Sequence, residues 1–146
     1  MALLNYRSPN ELNQRFERTW QSGVSPLGKG GRFAVESYLD FHGNKFTRRF
    51  DANSYITLVE AMNSHDISRN RGSLNEALAK ITAKTLVAGI TSDRLFPIEG
   101  QEKIASGIKA PLIGGKLHVI DSEYGHDGFL IEREIVGPLL TQLLES

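Results

Sequence analysis

Two short apolar runs joined by one helix constrain the fold of this chain more than any other feature. The first run is KTLVAGI (residues 84–90), which the polar loop TSDR follows, and the second is KLHVID (residues 116–121). Continuous β-prone runs of this length are typical of strands that are buried on both faces. Because a helix is predicted between them after Pro97, we predict a βαβ unit with two parallel strands.

Two parallel strands are too few to make a stable sheet by themselves. Parallel sheets need cover on both faces, and a pair of strands alone is marginally stable in water. No further convincing strand is present upstream of residue 82. We therefore predict an α/β fold whose sheet continues in polypeptide outside this sequence.

The N-terminal region begins with a clear helix signal. Ser8, Pro9 and Glu11 have the spacing of a capping box with proline at the first helical position. Apolar residues continue at helical spacing as far as Trp20, so we predict one helical face up to that residue. Glycines, prolines and serines then predict a loop over residues 21–32.

The next region, residues 33–81, reads as a series of helices. Apolar residues recur at helical spacing, and Asp51 or Asn53 is expected to cap a helix in its middle. Ser73 and Glu76 form a second capping box before a short apolar stretch. This half of the chain is therefore predicted to be helical and without strands.

The C-terminal end is predicted to form an amphipathic helix over residues 129–144, interrupted and kinked at Gly137 and Pro138. The whole chain then divides into two parts. Residues 1–81 form a mainly helical region, and residues 82–146 form a strand–helix–strand–helix unit. This division is our prediction for the domain organisation.

Composition excludes several classes of partner and site. Lys and Arg total 17, as do Asp and Glu, so there is no net charge to attract nucleic acid or an anionic membrane. Cysteine is absent, which excludes disulfides and thiolate zinc sites and fits a reducing compartment. No apolar stretch approaches the length of a membrane span, so we predict a cytoplasmic protein. The four histidines lack metal-ligand spacing, and no metal site is expected.

An acid and a histidine follow the two predicted strands. Catalytic groups of open α/β sheets lie in loops at the carboxyl ends of strands, and Asp93 and His126 occupy such loops one strand apart. A carboxylate beside an imidazole orients a general base for nucleophilic catalysis. Plainer alternatives are that Asp93 is a turn residue, and that His126 is a loop histidine beside Asp127 as a helix cap.

The nucleophile that such a base would activate is missing from the sequence. The α/β-hydrolase fold uses the chain order nucleophile, acid, histidine, with a serine in a GxSxG elbow, and no serine here lies in that motif. No cysteine is available instead. A nucleophile is therefore expected upstream of this chain.

Four segments resemble successive blocks of the homoserine O-acetyltransferase family, which has the α/β-hydrolase fold. They are NYRSPNELNQRF, FAVESYLDFHGNKFTRRFDANSYI, SDRLFP and YGHDGFL. The resemblance extends over nearly the whole chain but matches only the C-terminal part of the family's sequence. It implies that residues 1–81 form the helical lid and that residues 82–146 form the C-terminal part of the hydrolase core.

The resemblance also implies site residues. Asp93 matches the acid of the family's triad, and His126 matches its general base. Asp127 matches the carboxylate that receives the amino group of homoserine, and Tyr6 matches a tyrosine that lines the substrate site. The family's serine, its oxyanion-hole amides and the arginine for the substrate carboxylate, seven residues before Tyr6, would lie outside this chain.

The implied function is transfer of acetyl from acetyl-CoA, a co-substrate, to the hydroxyl of L-homoserine in methionine biosynthesis, with no further cofactor. The resemblance implies a homodimer built through the lid helices and a need for the N-terminal half of the hydrolase core, so the isolated chain should be inactive. Two alternatives stay open. One is a related acyltransferase that uses succinyl-CoA or serine, and the other is a non-catalytic assembly fragment.

Overall fold

The computed structural model describes residues 2–28 and 30–146. The chain forms two compact units, one of Leu12–Asp66 and one of Ile67–Ser146 together with the segment that ends at Glu11. The chain therefore passes from one unit to the other after Glu11 and again after Asp66, whereas the sequence pattern placed one boundary after residue 81. The interpretation of the helical region as a lid stays a prediction.

The unit of Leu12–Asp66 is built mainly from two helices, α3 (Ala34–Arg49) and α4 (Ala52–Ser64). Asp51 is the cap of α4, as one of the two predicted alternatives stated, and its side chain accepts the backbone N–H of Ser54 at 2.9 Å. That hydrogen bond lowers the pKa of the Asp51 carboxyl. No side chain of α3 or α4 is buried within the structure.

Trp20 does not lie on the N-terminal helix, so that part of the prediction is wrong. Two helices precede it, α1 (Ala2–Asn5) and α2 (Pro9–Phe16). The backbone of Glu17 has a φ of 43°, in the left-handed region, and this conformation ends the helix. Trp20 instead forms an antiparallel bridge with Phe33.

The predicted βαβ unit is present in the other unit. Strand β1 (Ala88–Ile90) pairs in parallel with β2 (His118–Ile120), and helix α6 (Ile98–Gly107) connects them. Both strands are shorter than the predicted runs. Thr85, near the start of the first run, forms a separate parallel bridge with Leu112, which lies before a short 3₁₀ helix at Ile113–Gly115.

A small apolar cluster anchors this unit. Leu78, Val87 and Ile108 are buried together, and Leu78 comes from the short helix α5 (Leu74–Leu78). The predicted capping box starts α5, because Ser73 and Glu76 exchange side-chain-to-backbone hydrogen bonds. The Ser73 N–H donates to the Glu76 carboxylate and lowers the pKa of that group.

The C-terminal end contains two helices, α7 (Gly128–Ile131) and α8 (Arg133–Leu144). The predicted interruption at Gly137 and Pro138 is wrong, because α8 continues through both residues and the break lies at Glu132. Proline removes one N–H from the helix, and exposed carbonyls one turn earlier can accept water instead. Within the described residues no helix is long and apolar enough to cross a membrane.

Candidate active site

The candidate site forms where β1 and β2 end. Asp93 follows β1 in a tight turn, in which its backbone N–H donates to the carbonyl of Ile90 at 3.1 Å. His126 follows β2 and lies in a short 3₁₀ helix at Gly125–Asp127. Because the strands are parallel, both loops leave the sheet at the same edge.

Asp93 and His126 are in direct contact. Nδ1 of His126 lies 2.8 Å from Oδ2 of Asp93, and the side chains are 20% and 7% exposed respectively. A carboxylate accepts, so Nδ1 carries the shared proton, and in the neutral form of the imidazole Nε2 is then the nitrogen that can accept a proton. This is the geometry of an oriented general base.

The second oxygen of Asp93 fixes the carboxylate from its own loop. Oδ1 accepts the backbone N–H groups of Leu95 at 2.8 Å and Phe96 at 2.9 Å. The turn alternative and the pairing with His126 are therefore both present, on different oxygens of one carboxylate. Three donors hold the acid, so the imidazole has one preferred orientation.

Aromatic rings surround the imidazole. Tyr6, Phe96 and Phe129 have ring centroids 5.4, 5.0 and 5.5 Å from that of His126. A cavity of about 210 Å³ opens beside it. Asp93 and His126 line it, and its apolar lining includes Ile90, Phe96, Ile120, Phe129, Val136 and Leu139.

Hydroxyl groups tie the two loops together, and no sequence pattern pointed to them. Ser92 Oγ donates to the carbonyl of Ser122 at 2.6 Å and accepts the N–H of Gly125 at 2.9 Å. Thr91 Oγ1 donates to Asp121 at 3.0 Å and accepts the N–H of Ser122 at 3.3 Å. The Ser92 hydroxyl thus links the residue next to the acid with the residue next to the histidine.

The segment around Tyr6 packs directly on the histidine loop. Gly125 has a φ of 64°, and a Cβ there would lie 2.7 Å from the carbonyl oxygen of Tyr6. The N–H of Asp127 donates to that same carbonyl at 3.3 Å. Ser8 Oγ donates to the carbonyl of Glu123. This close backbone contact brings Tyr6 to within ring-contact distance of His126.

Asp127 occupies the N-cap position of α7, as the plainer alternative stated, but its side chain makes no capping hydrogen bond. Its φ and ψ of −67° and −10° are already helical. Its Oδ2 instead lies 3.2 Å from Nε of Arg7. Arg7 is a site residue that the sequence did not single out, because its partner is distant along the chain.

All four residues proposed from the sequence come together in the unit formed by Ile67–Ser146 and the segment ending at Glu11. Asp93 contacts His126, Tyr6 faces the imidazole, and Asp127 is adjacent to it in the chain. In the part of the chain that the structure describes, no three or more acidic or histidine side chains are grouped to hold a metal ion. The arrangement is suited to proton transfer at Nε2 of His126.

No protein-family model matches the chain. Its whole length is 64% identical to a homoserine O-acetyltransferase from Clavibacter michiganensis and 66% identical to one from Leifsonia xyli. The chain spans 38% and 36% of the length of these two relatives.

Two solved structures have a similar fold. The homoserine O-acetyltransferase of Bacillus anthracis has a TM-score of 0.81 and 20% identity, over 97% of this chain and 38% of that one. Esterase E22 has a TM-score of 0.70 and 19% identity, over 95% of this chain and 39% of its own. The likeness confirms the predicted fold class, the C-terminal part of an α/β-hydrolase.

Proposed function

We propose that this chain, whose sequence is that of one part of the homoserine O-acetyltransferase family, supplies the acid and the general base for acetyl transfer from acetyl-CoA to L-homoserine. The observation that carries the proposal is the 2.8 Å contact between His126 Nδ1 and the buried carboxylate of Asp93. This contact occupies Nδ1 and leaves Nε2 of His126, which lines an apolar cavity, available for proton transfer.

The first step forms an acetyl-enzyme. A serine hydroxyl from the rest of the hydrolase core attacks the thioester carbon of acetyl-CoA while Nε2 of His126 takes the hydroxyl proton. The C–S bond breaks, and the proton passes to the departing thiolate to give free CoA. Asp93 stabilises the imidazolium that exists between these two proton transfers.

The second step consumes the acetyl-enzyme. The hydroxyl of L-homoserine attacks the acetyl carbon, and His126 takes its proton and returns it to the departing serine oxygen. The Asp127 carboxylate holds the ammonium of the acceptor, and Tyr6 forms part of the wall beside the imidazole. The products are O-acetylhomoserine and the regenerated serine, so protons and bonds balance over the cycle.

The remaining parts of the machinery come from polypeptide outside this chain. We propose that the N-terminal half of the hydrolase core carries the serine and the oxyanion-hole amides, so that the isolated chain is inactive. The open apolar cavity beside β1 supports this proposal. Residues of both strands line the cavity, so apolar surface of the sheet is left without the cover that a parallel sheet needs. The complete enzyme works in the cytoplasm, as the absence of cysteine favours.

We also propose that the unit of Leu12–Asp66 forms a homodimer. Large apolar side chains of α3 and α4 are exposed, among them Phe41 at 64%, Ile56 at 53%, Leu58 at 54% and Met62 at 67%. Exposed apolar side chains in such number are typical of protein–protein contact surfaces. Sedimentation of the complete protein checks this, and a monomer at all concentrations would contradict it.

The function is tested by mixing experiments that follow CoA release and acetylated product. We expect no turnover when the chain alone meets acetyl-CoA and homoserine, and turnover when the missing half of the core is supplied. A His126→Ala chain is the matched control and should not restore turnover. Robust activity of the chain alone would refute the proposal. Succinyl-CoA and serine, offered in parallel, identify the donor and acceptor.

A further inference from the structure

We propose that Arg7 is a positioning residue for the acceptor's amino group, and that Glu11 makes this role possible. Arg7 fixes the carboxylate of Asp127, while Glu11 offsets the positive charge that Arg7 brings. The inference rests on the proposed function, in which Asp127 receives the ammonium of an amino-acid acceptor. It assigns specificity for amino acids to a group of three side chains rather than to one.

Arg7 bridges two carboxylates. Its Nε lies 3.2 Å from Oδ2 of Asp127, and its Nη1 donates to Oε1 of Glu11 at 2.9 Å. The three side chains are 29% exposed or less, which places them below the fully solvated surface. Because Arg7 engages Oδ2, the other oxygen of Asp127 can accept from a ligand.

The backbone holds Arg7 against the histidine loop from both sides. The carbonyl of Tyr6 accepts the N–H of Asp127, and Ser8 Oγ donates to the carbonyl of Glu123. The same Ser8 hydroxyl accepts the N–H of Glu11 at 3.1 Å. The backbone of Arg7 is therefore held in place by hydrogen bonds on both sides, and this position allows its guanidinium to contact Asp127.

The charges of the group favour an ammonium ligand. Arg7 and Asp127 alone would form a neutral pair with little attraction for a cation. The carboxylate of Glu11 lies against Nη1 of the same guanidinium and shifts this balance toward negative charge. Arg7 can thus orient Asp127 without cancelling its attraction for the acceptor.

A purely structural ion pair would behave differently. Partly exposed pairs often contribute little to stability, and losing one affects all substrates alike. A positioning role toward the amino group affects only the step that uses the acceptor, and only acceptors that carry an amino group. The comparison of homoserine with 4-hydroxybutyrate isolates that step, because 4-hydroxybutyrate is homoserine without its amino group.

The test uses the complete protein and the variants Arg7→Gln, Glu11→Gln and Arg7→Lys. We expect both glutamine variants to lower the ratio of kcat/KM for homoserine to that for 4-hydroxybutyrate by about tenfold or more, as for loss of a charge-assisted contact. Arg7→Lys should recover part of the ratio, since it keeps the charge. Arg18→Gln, an exposed arginine outside this group, is the control.

The outcomes separate this inference from the proposed function. If the unmodified protein does not acetylate homoserine, the proposed function fails. If it does, but Arg7→Gln and Glu11→Gln leave the ratio unchanged, the inference is overturned. Two further results would show a purely structural role and would also overturn the inference. One is an equal loss of kcat/KM with homoserine and with 4-hydroxybutyrate, and the other is an equal loss of the rate of CoA release before any acceptor is added.

Discussion

The contact between Gly125 and the Tyr6 segment leads to a quantitative prediction for Gly125→Ala. Gly125 has a φ of 64°, and an added Cβ would meet three backbone atoms: the Tyr6 oxygen at 2.7 Å, the Arg7 carbonyl carbon at 3.0 Å and the Ser8 nitrogen at 3.0 Å. None of these atoms can rotate away, as the end of a flexible side chain could. The segment must move off the histidine loop, or the loop must distort.

Two separate costs add at this position. A left-handed backbone costs a non-glycine residue about 1–2 kcal/mol. Overpacking against atoms that cannot relax costs about 1–3 kcal/mol more. We therefore expect Gly125→Ala to lower the free energy of unfolding by about 2–5 kcal/mol, a large part of the stability of an ordinary domain.

Two other glycines separate these costs. Gly115 has a φ of 72° and nothing within 4 Å of an added Cβ, so Gly115→Ala should show the backbone cost alone. Gly137 lies inside α8 with equally free space, and Gly137→Ala should stabilise the chain by about 0.5–1 kcal/mol. Urea unfolding of the complete protein, followed by circular dichroism, measures all three. A Gly125→Ala loss no larger than that of Gly115→Ala would refute the packing argument.

Further predictions concern the two loops and one helix cap. Ser92→Ala should destabilise the chain by about 1–3 kcal/mol, because it leaves the N–H of Gly125 without its partner and the carbonyl of Ser122 with the longer 3.5 Å contact from Thr91 Oγ1; urea unfolding unchanged from wild type would contradict this. Ser73→Ala should cost about 1 kcal/mol through the lost cap of α5, measured in the same way. The lowered pKa of Glu76 stabilises the folded state above the ordinary pKa of 4.5, and this stabilisation is lost as the pH falls through the pKa of the folded state. The free energy of unfolding of Glu76→Gln should therefore be lower than that of wild type at neutral pH, whereas the two should agree in acid.

The βαβ unit and the pairing of acid and base could be predicted because they depend on topology alone. Two buried runs joined by one helix must be parallel, and their following loops must share an edge. Asp93 and His126 follow those runs, so their contact was an expected result of the fold. The capping boxes were predictable for a similar reason, since they involve residues three apart.

The sequence-based predictions were wrong where a single backbone angle, or a contact with a residue distant in the chain, determines the structure. The helix before Trp20 ends because Glu17 adopts a left-handed conformation. The spacing of the apolar residues up to Trp20 does not reveal this conformation. Asp127 occupies an N-cap position, yet its side chain pairs with Arg7, which lies far earlier in the chain. That contact depends on the docking of the Tyr6 segment on Gly125, and no local pattern encodes such docking.

The role of His126 as general base is tested by single-turnover release of CoA from acetyl-CoA by the complete protein, with and without the change His126→Ala. We expect the unmodified protein to release one equivalent of CoA and to carry acetyl on a serine, detected by mass spectrometry. His126→Ala should slow this release by at least about 10³-fold, as expected for the loss of a triad base. Release by the variant at the wild-type rate would contradict the assignment of His126 as the general base.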